Sequence, residues 1–512
     1  MIGIFICHCG LNIAGTVDVP RLAEALRAVP GVGVVTDYRY MCSEPGQALL
    51  RREIEERQLD GIVVAACSPA MHEATFRAAA AQAGLNPYRV EIANIREQVA
   101  WPHQHAPQMA TEKAIATVAA IVEKVRRDEP LWPTALPLTR RALVVGGGVA
   151  GLTAALDIAE AGYPVLLVER SPRLGGHTRA LSSLVAGRSE EERARPGAAL
   201  LSERIEAVTQ HPRIQVLTEA QVAGFEGYLG NFRARIAQAG GSGGQPQAVS
   251  ADVGAVVLAT GFDLYPQQRM PEYGGGSLPD VLDTLQFEAL LAGGAVRRPS
   301  DGRTPRDIVW IQCAGSRDPQ HHQPYCSKIC CMAVAKQALA WRRLGEHNGA
   351  TVCYIDIRAQ GRGYEEFVQQ AMEAGVVYLR GKAARVIPRG GRLEVWGADT
   401  LSGQALRVAA DMVVLASAAL PSAGSDALAR LLHVATDESG FFSEAHPKLR
   451  PVETLTAGIY VAGAAQFPKD IPEAVAQASA AAAQVVRLFA QPRRSEERRV
   501  GKECRSRWSP YH

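Results

Sequence analysis

Residues 141–151 read RALVVGGGVAG, and most of the fold turns on them. A short β-branched and apolar run leads straight into Gly146, Gly148 and Gly151, spaced as GxGxxG, and an amphipathic helical pattern follows from Ala150 to Ala161. A second apolar strand, VLLVER, ends at Glu169 with Arg170 behind it. In such a strand–turn–helix the first glycine makes the tight turn. The second lets backbone approach a pyrophosphate, and the third lets helix pack closely on strand. The helix N-terminus presents its positive dipole end to the phosphates, and Glu169 is placed to accept from ribose hydroxyls. A glycine-rich turn with no ligand is the bland alternative. The strand, the three glycines, the helix and the acidic strand end occurring together favour dinucleotide binding.

Working outward, SPRLGG follows the acidic strand at 171–176, ATG stands at 259–261, and GIYVAG closes a late strand at Gly463 before a helix starting near Ile471. In this order the segments resemble the flavoprotein disulfide-reductase superfamily. The resemblance implies FAD rather than NAD, touched by Arg170, Gly175, Gly176, His177, Thr260, Gly261, Gly463, Ala464 and Ile471. It also implies a two-domain, thioredoxin-reductase-like Rossmann body. In that superfamily the inserted α/β unit carries a second GxGxxG for NAD(P)H. Here its strand IVWIQC runs into AGSRD and a cysteine-rich loop, with no second fingerprint.

The first 130 or so residues alternate the strand patterns IGIFIC, VGVVTDY, GIVVAAC and YRVEIAN with helical ones, the signature of a small parallel α/β domain. The expected organisation is therefore an N-terminal α/β domain over 1–130 and a Pro-rich linker over 131–139. A FAD domain follows over 140–265, then an inserted α/β domain over 266–425 and a return segment over 426–492. Residues 493–512 break into a basic, patternless stretch that reads as a cloning or sequencing scar.

Ten cysteines are many for a chain in a reducing compartment, where metal or redox use outweighs disulfides. Cys313, Cys326, Cys330 and Cys331 form one group, with twelve residues between the first two and three before the adjacent pair. Four soft thiolates satisfy a [4Fe–4S] cluster at one per iron. A structural zinc, a catalytic dithiol and inert buried cysteines are the competing readings. Cys7, Cys9, Cys42 and Cys67 fall at or just after strand ends, and in a parallel sheet all such ends face one side. They are candidates for a second [4Fe–4S] cluster, against the plainer reading of small core residues. His8 reads as a hydrogen-bonder rather than a ligand.

The segments ICHCGLNIAG, MCSEPGQ, VVAACSPAMHE, IANIREQ, GGGVAG, QCAGSRD with YCSKICC, and AQFPKDIPEAVAQAS make the chain similar to the A subunit of heterodisulfide reductase over nearly everything before Arg493. The resemblance implies FAD in the Rossmann body and a [4Fe–4S] cluster on the Cys313–Cys331 motif. It also implies electron transfer through B- and C-type partner subunits or carriers toward a disulfide or other sulfur substrate. The chain departs from the methanogen version in lacking CxxCxxCxxxCP stretches and the cysteine-containing segment inserted after GGH, which implies a shorter electron wire.

Composition fits a globular protein, with 47% hydrophobic and 21% charged residues. The basic tail accounts for the formal +3, so charge gives no argument for nucleic acid. No apolar run reaches the roughly 18 residues of a membrane span. A cytoplasmic protein, homo-oligomeric within a larger complex, is expected. A free-standing NAD(P)H-dependent flavin reductase and a non-catalytic flavoprotein scaffold are the alternatives.

Overall fold

The structure, a computed structural model, describes residues 1–131, 134–185, 196–239, 247–491 and 494–496. The chain divides into two compact units, Met1–Leu136 with the segment from Arg494 onward, and Pro137–Arg493.

The first unit is built on a parallel sheet in the order Val32–Tyr38, Ile2–Cys7, Gly61–Ala66, Val90–Asn94. Its two central strands are buried at every residue, as expected where helices cover both faces of a parallel sheet. The covering helices Val19–Arg27, Glu44–Arg57 and Pro69–Gln82 each begin with a side-chain cap, from Asp18, Ser43 and Ser68, and a proline in the first two positions. That arrangement satisfies one free helix N–H and uses proline where no hydrogen bond is lost. Helix Pro107–Arg127 buries Ala114, Val118, Val122 and Val125 along one stripe. Between the last strand and this helix, Arg96–Ala100 form a π-helical turn, which the sequence patterns do not signal.

The second unit contains two parallel sheets. One runs Ile459–Val461, Ala255–Leu258, Ala142–Val145, Val165–Val168, Ile214–Leu217, with helices Val149–Glu160 and Ile471–Phe489 in one core with it. The other runs Val281–Asp283, Met412–Ser417, Asp307–Ala314, Gly349–Tyr354, Val377–Arg380, and helix Cys330–Arg343 packs on it. The chain is thus an α/β protein with a small parallel α/β unit ahead of a Rossmann body of two α/β halves. Antiparallel strands Phe262–Leu264 and Ala419–Pro421 pair where the chain passes between those halves. Each half also carries a three-stranded antiparallel sheet, one of Ala220–Tyr228, Asn231–Gln238 and Gln247–Val253 and the other of Ala383–Arg389, Arg392–Ala398 and Ala405–Ala410, that the periodicity reading leaves unassigned.

In the C-terminal segment read as patternless, Arg494–Glu496 form an antiparallel ladder with Thr134–Leu136. The rest of that segment, Cys504 included, lies outside the described residues. Among the described residues no helix is long and apolar enough to cross a membrane.

Candidate functional site

The glycine turn after Ala142–Val145 is sterically exacting. Gly146 has φ +111°, and a Cβ there would lie 2.3 Å from the Ala259 carbonyl oxygen. A Cβ on Gly148 would meet nothing within 4 Å. That open space belongs to a cavity of about 1470 Å³ lined by Gly146, Gly148, Glu169, Arg170, Gly175, Gly176, His177, Thr260, Gly261, Ala464 and Ile471, among others.

Glu169 is buried, and its two oxygens accept from the backbone N–H of Gly147 at 2.6 Å and of Ser171 at 2.7 Å. The carboxylate therefore shapes the glycine turn itself, a role the ribose argument overlooks, while each oxygen keeps a second lone pair. Gly147, absent from the GxGxxG count, is required too, because a Cβ there would meet Leu174 at 2.5 Å and the Glu169 side chain at 3.1 Å. Arg170 turns toward Asp263 and the Ala423 carbonyl at 3.2 and 2.9 Å. His177 Nε2 donates to the Phe262 carbonyl at 2.7 Å, so that nitrogen carries the proton. Gly175 and Gly176 take φ +112° and +53°, and a Cβ on Gly176 would stand 3.3 Å from Gly148 Cα. Gly463, at φ +65°, lies against Ala150, where a Cβ would approach to 2.8 Å. Helix Ile471–Phe489 opens with a reciprocal capping box between Asp470 and Glu473. Beside it, burial pushes the Lys469 ammonium down to about 8.

These residues fit FAD on the structure's own terms. Thr260 Oγ1 and Ser417 Oγ line the cavity, yet both are buried without a hydrogen-bond partner, and buried hydroxyls normally have one. Gly261, at φ +73°, like Gly148 leaves open space beside its Cα, and the N-termini of two helices face the cavity.

The same cavity is also lined by Lys328, Ile329 and Cys330. Cys313 lies at the end of strand Asp307–Ala314, where the register with Met412–Ser417 is broken. Three non-glycine residues in and beside the loop take left-handed φ, Cys313 at 57°, Arg317 at 55° and Lys328 at 61°. Such conformations cost energy and gather where the surroundings enforce them, often at functional sites. Cys330 and Cys331 are the first residues of helix Cys330–Arg343. Cys326 accepts from the Lys328 N–H at 3.3 Å, and the Cys331 thiol donates to Gln312 Oε1 at 3.4 Å. Burial pushes Cys313 up to about 11, with the other thiols adding to the rise and Arg317 opposing it. Cys330 donates to Cys331, and this bond together with burial raises Cys330 far above the usual thiol range, while the same bond lowers Cys331 against the opposing effect of burial. All four are free thiols within one another's electrostatic reach. Arg317, paired with Asp356 at 2.6 Å, supplies a nearby cation.

In the first unit, Cys7 ends the first strand, Cys9 follows it, Cys42 and Cys67 follow the second and third strands, and these thiols act on one another electrostatically in pairs. Burial raises Cys7 and Cys42 and takes Cys67 up to about 12. Cys7 accepts from the Met41 N–H at 3.4 Å. Cys9 has φ +51° and accepts from Arg96 Nη1 at 3.2 Å. His8 pairs with Asp37 at 2.8 Å and stands apart as a hydrogen-bonder. Among the described residues no three His, Cys, Asp or Glu side chains are drawn together closely enough to grip one metal ion. Each group offers four soft sulfurs, an N–H donor to sulfur and an adjacent guanidinium, a donor set compatible with thiolate-bound iron.

The FAD binding domain family matches residues 141–187. The second of the iron–sulfur A subunits of CoB–CoM heterodisulfide reductase in Methanopyrus kandleri is 37% identical, over 96% of this chain and 86% of its own length. The A subunit of the H2:CoB–CoM heterodisulfide, ferredoxin reductase of Methanothermobacter marburgensis is 36% identical, over 94% and 84%. Among solved structures, thioredoxin reductase of T. acidophilum is similar at 16% identity, covering 68% of this chain and 98% of that one with a TM-score of 0.46. Thioredoxin reductase of Lactococcus lactis stands at 17%, 68%, 99% and 0.47.

Proposed function

Because the chain belongs to the family of heterodisulfide reductase A subunits, we propose that it is the FAD- and [4Fe–4S]-containing electron-transfer component of a heterodisulfide-reductase-like assembly in sulfur or disulfide metabolism. The observation that carries this reading is the single cavity lined both by Gly146, Gly148 and Thr260 and by Cys330. In this reading Gly146, Gly147 and Glu169 hold the turn that leaves room for the pyrophosphate. Thr260 and Ser417 supply hydroxyls to the flavin, and Cys313, Cys326, Cys330 and Cys331 hold a cluster beside it. Cys7, Cys9, Cys42 and Cys67 hold a second cluster. Bound FAD exchanges one or two electrons, which lets a two-electron donor communicate with one-electron clusters.

What this chain's residues contribute is position and electrostatics: hydrogen bonds to sulfur, guanidinium charges near the thiolates, and a large cavity. Donor and acceptor sit on partner subunits or carriers, in the cytoplasm. There the net reaction takes two electrons and two protons per disulfide reduced to two thiols. Residues 1–130 serve as the N-terminal cluster domain, 140–265 with 426–492 as the FAD domain, and 266–425 as the inserted cluster domain.

Anaerobic purification of the full chain with flavin, iron and sulfide quantified is the first test. One FAD and about four irons for each occupied cysteine group are expected, and zinc in place of iron would overturn the cluster assignment. Stopped-flow flavin absorbance is the second. NADH alone should reduce the flavin slowly, since no second phosphate-binding turn holds a nicotinamide in attack geometry. Saturable reduction at about 10 per second, typical of competent enzymes, would favour a free-standing reductase instead.

A further inference from the structure

Arg96 enters the N-terminal thiol group from an unusual piece of backbone. Strand Val90–Asn94 runs into the π-helical turn Arg96–Ala100, a form that is rare and concentrated at functional sites. From there Arg96 Nη1 donates to Cys9 Sγ at 3.2 Å, while Nη2 reaches Glu97 Oε1 at 2.7 Å and Met71 Sδ at 2.9 Å. The guanidinium also lies over the Trp101 ring, 4.8 Å from its centre. Its side chain is only 12% exposed, so the hydrogen bond to sulfur is anchored on several sides rather than sampled. Glu97 is held against the same guanidinium with opposite charge. One of its oxygens is buried without a partner, and its field reaches Cys67.

We propose that Arg96 and Glu97 are an opposed pair of positioning residues that set the reduction potential of the N-terminal iron–sulfur group, Arg96 through its charged hydrogen bond to Cys9 and Glu97 through the carboxylate beside it. This rests on the reading that Cys7, Cys9, Cys42 and Cys67 hold a cluster. Adding one electron adds one negative charge to the thiolate-bound group. A guanidinium on a ligand sulfur stabilises the reduced form and raises the potential, and a nearby carboxylate lowers it. Cluster potentials are governed by such charges and by hydrogen bonds to sulfur. Since guanidinium does not lose its proton in proteins, the contribution of Arg96 does not fade with pH.

The test is an EPR-monitored redox titration of the full chain, prepared anaerobically. A Cys330→Ser/Cys331→Ser background removes the other cluster signal, and flavin and iron are measured in parallel. Arg96→Gln should lower the one-electron reduction constant about tenfold, which is 59 mV for a one-electron couple. Glu97→Gln should raise it by a similar factor, a pair of opposite shifts that loss of structure does not produce. Unchanged potentials in variants with full iron overturn the proposal while leaving the cluster reading intact. If Arg96→Gln sheds its iron, Glu97→Gln decides alone, and the absence of a rise overturns the proposal. If this background holds no iron at all, the N-terminal cluster and this inference fall together, and the flavin assignment stands.

Discussion

Gly151 faces the carbonyl of Gly146 so closely that a Cβ on Gly151 would stand 1.8 Å from its oxygen. Neither atom belongs to a flexible side chain, so an added methyl has to part the helix Val149–Glu160 from the strand before it. Gly151→Ala is expected to cost about 1–3 kcal/mol, the usual range for overpacking, and to reduce FAD retention with it. Urea unfolding followed by fluorescence, together with flavin content, checks both effects.

Gly148 gives the opposite expectation from the same turn. A side chain there meets no protein atom within 4 Å, so Gly148→Val should leave the fold of the flavin-free protein almost as stable as wild type. It should nevertheless abolish FAD binding by filling the space the pyrophosphate needs. Flavin absorbance after gel filtration, beside the unfolding curve, separates the two. Full FAD occupancy in this variant would defeat the cofactor assignment.

Cys330→Ser and Cys331→Ser should each lose the iron held by the Cys313–Cys331 group while keeping FAD. The glycine turn at 146–151 and the helix beginning at Cys330 belong to different sheets. Iron, sulfide and flavin analysis of anaerobically prepared variants is the check. Loss of flavin along with iron would mean that the cysteine helix also supports the flavin site.

Lys469 gives a pH signature. Burial depresses its folded value to about 8, well below the roughly 10.4 of an unfolded lysine. Between those values the unfolded chain holds a proton that the folded chain lacks, so stability rises with pH across that window. Below pH 8 the full cost of the buried charge is felt. Lys469→Met in flavin-free protein should therefore be more stable than wild type near neutral pH, with the gap closing as pH approaches 10.4. Thermal unfolding of the two proteins in parallel across that range measures it, and a constant gap would mean that desolvation of Lys469 is not felt.

The local code of the chain reached most of the architecture. Apolar runs of strand length alternating with amphipathic stretches are enough to give parallel α/β units, and the glycine spacing at 146–151 with an acidic strand end is a backbone requirement written directly in residue types. Cysteine positions likewise singled out two sets of thiols as candidates, because their chemistry is narrow. What sequence alone could not reach depends on atoms brought together from distant positions. Glu169 spends its carboxylate on the Gly147 and Ser171 amides, a contact visible only once strand and turn are folded. The extension of one cavity from Gly148 to Cys330 is decided by how the two halves of the Rossmann body pack, which no local period encodes. The antiparallel strands Ala383–Arg389, Arg392–Ala398 and Ala405–Ala410 are each only partly buried, and their pairing defines them. Arg96 stood in the sequence as one charge in IANIREQ. Only the tertiary fold brings its guanidinium onto the sulfur of Cys9, 87 positions away in the chain.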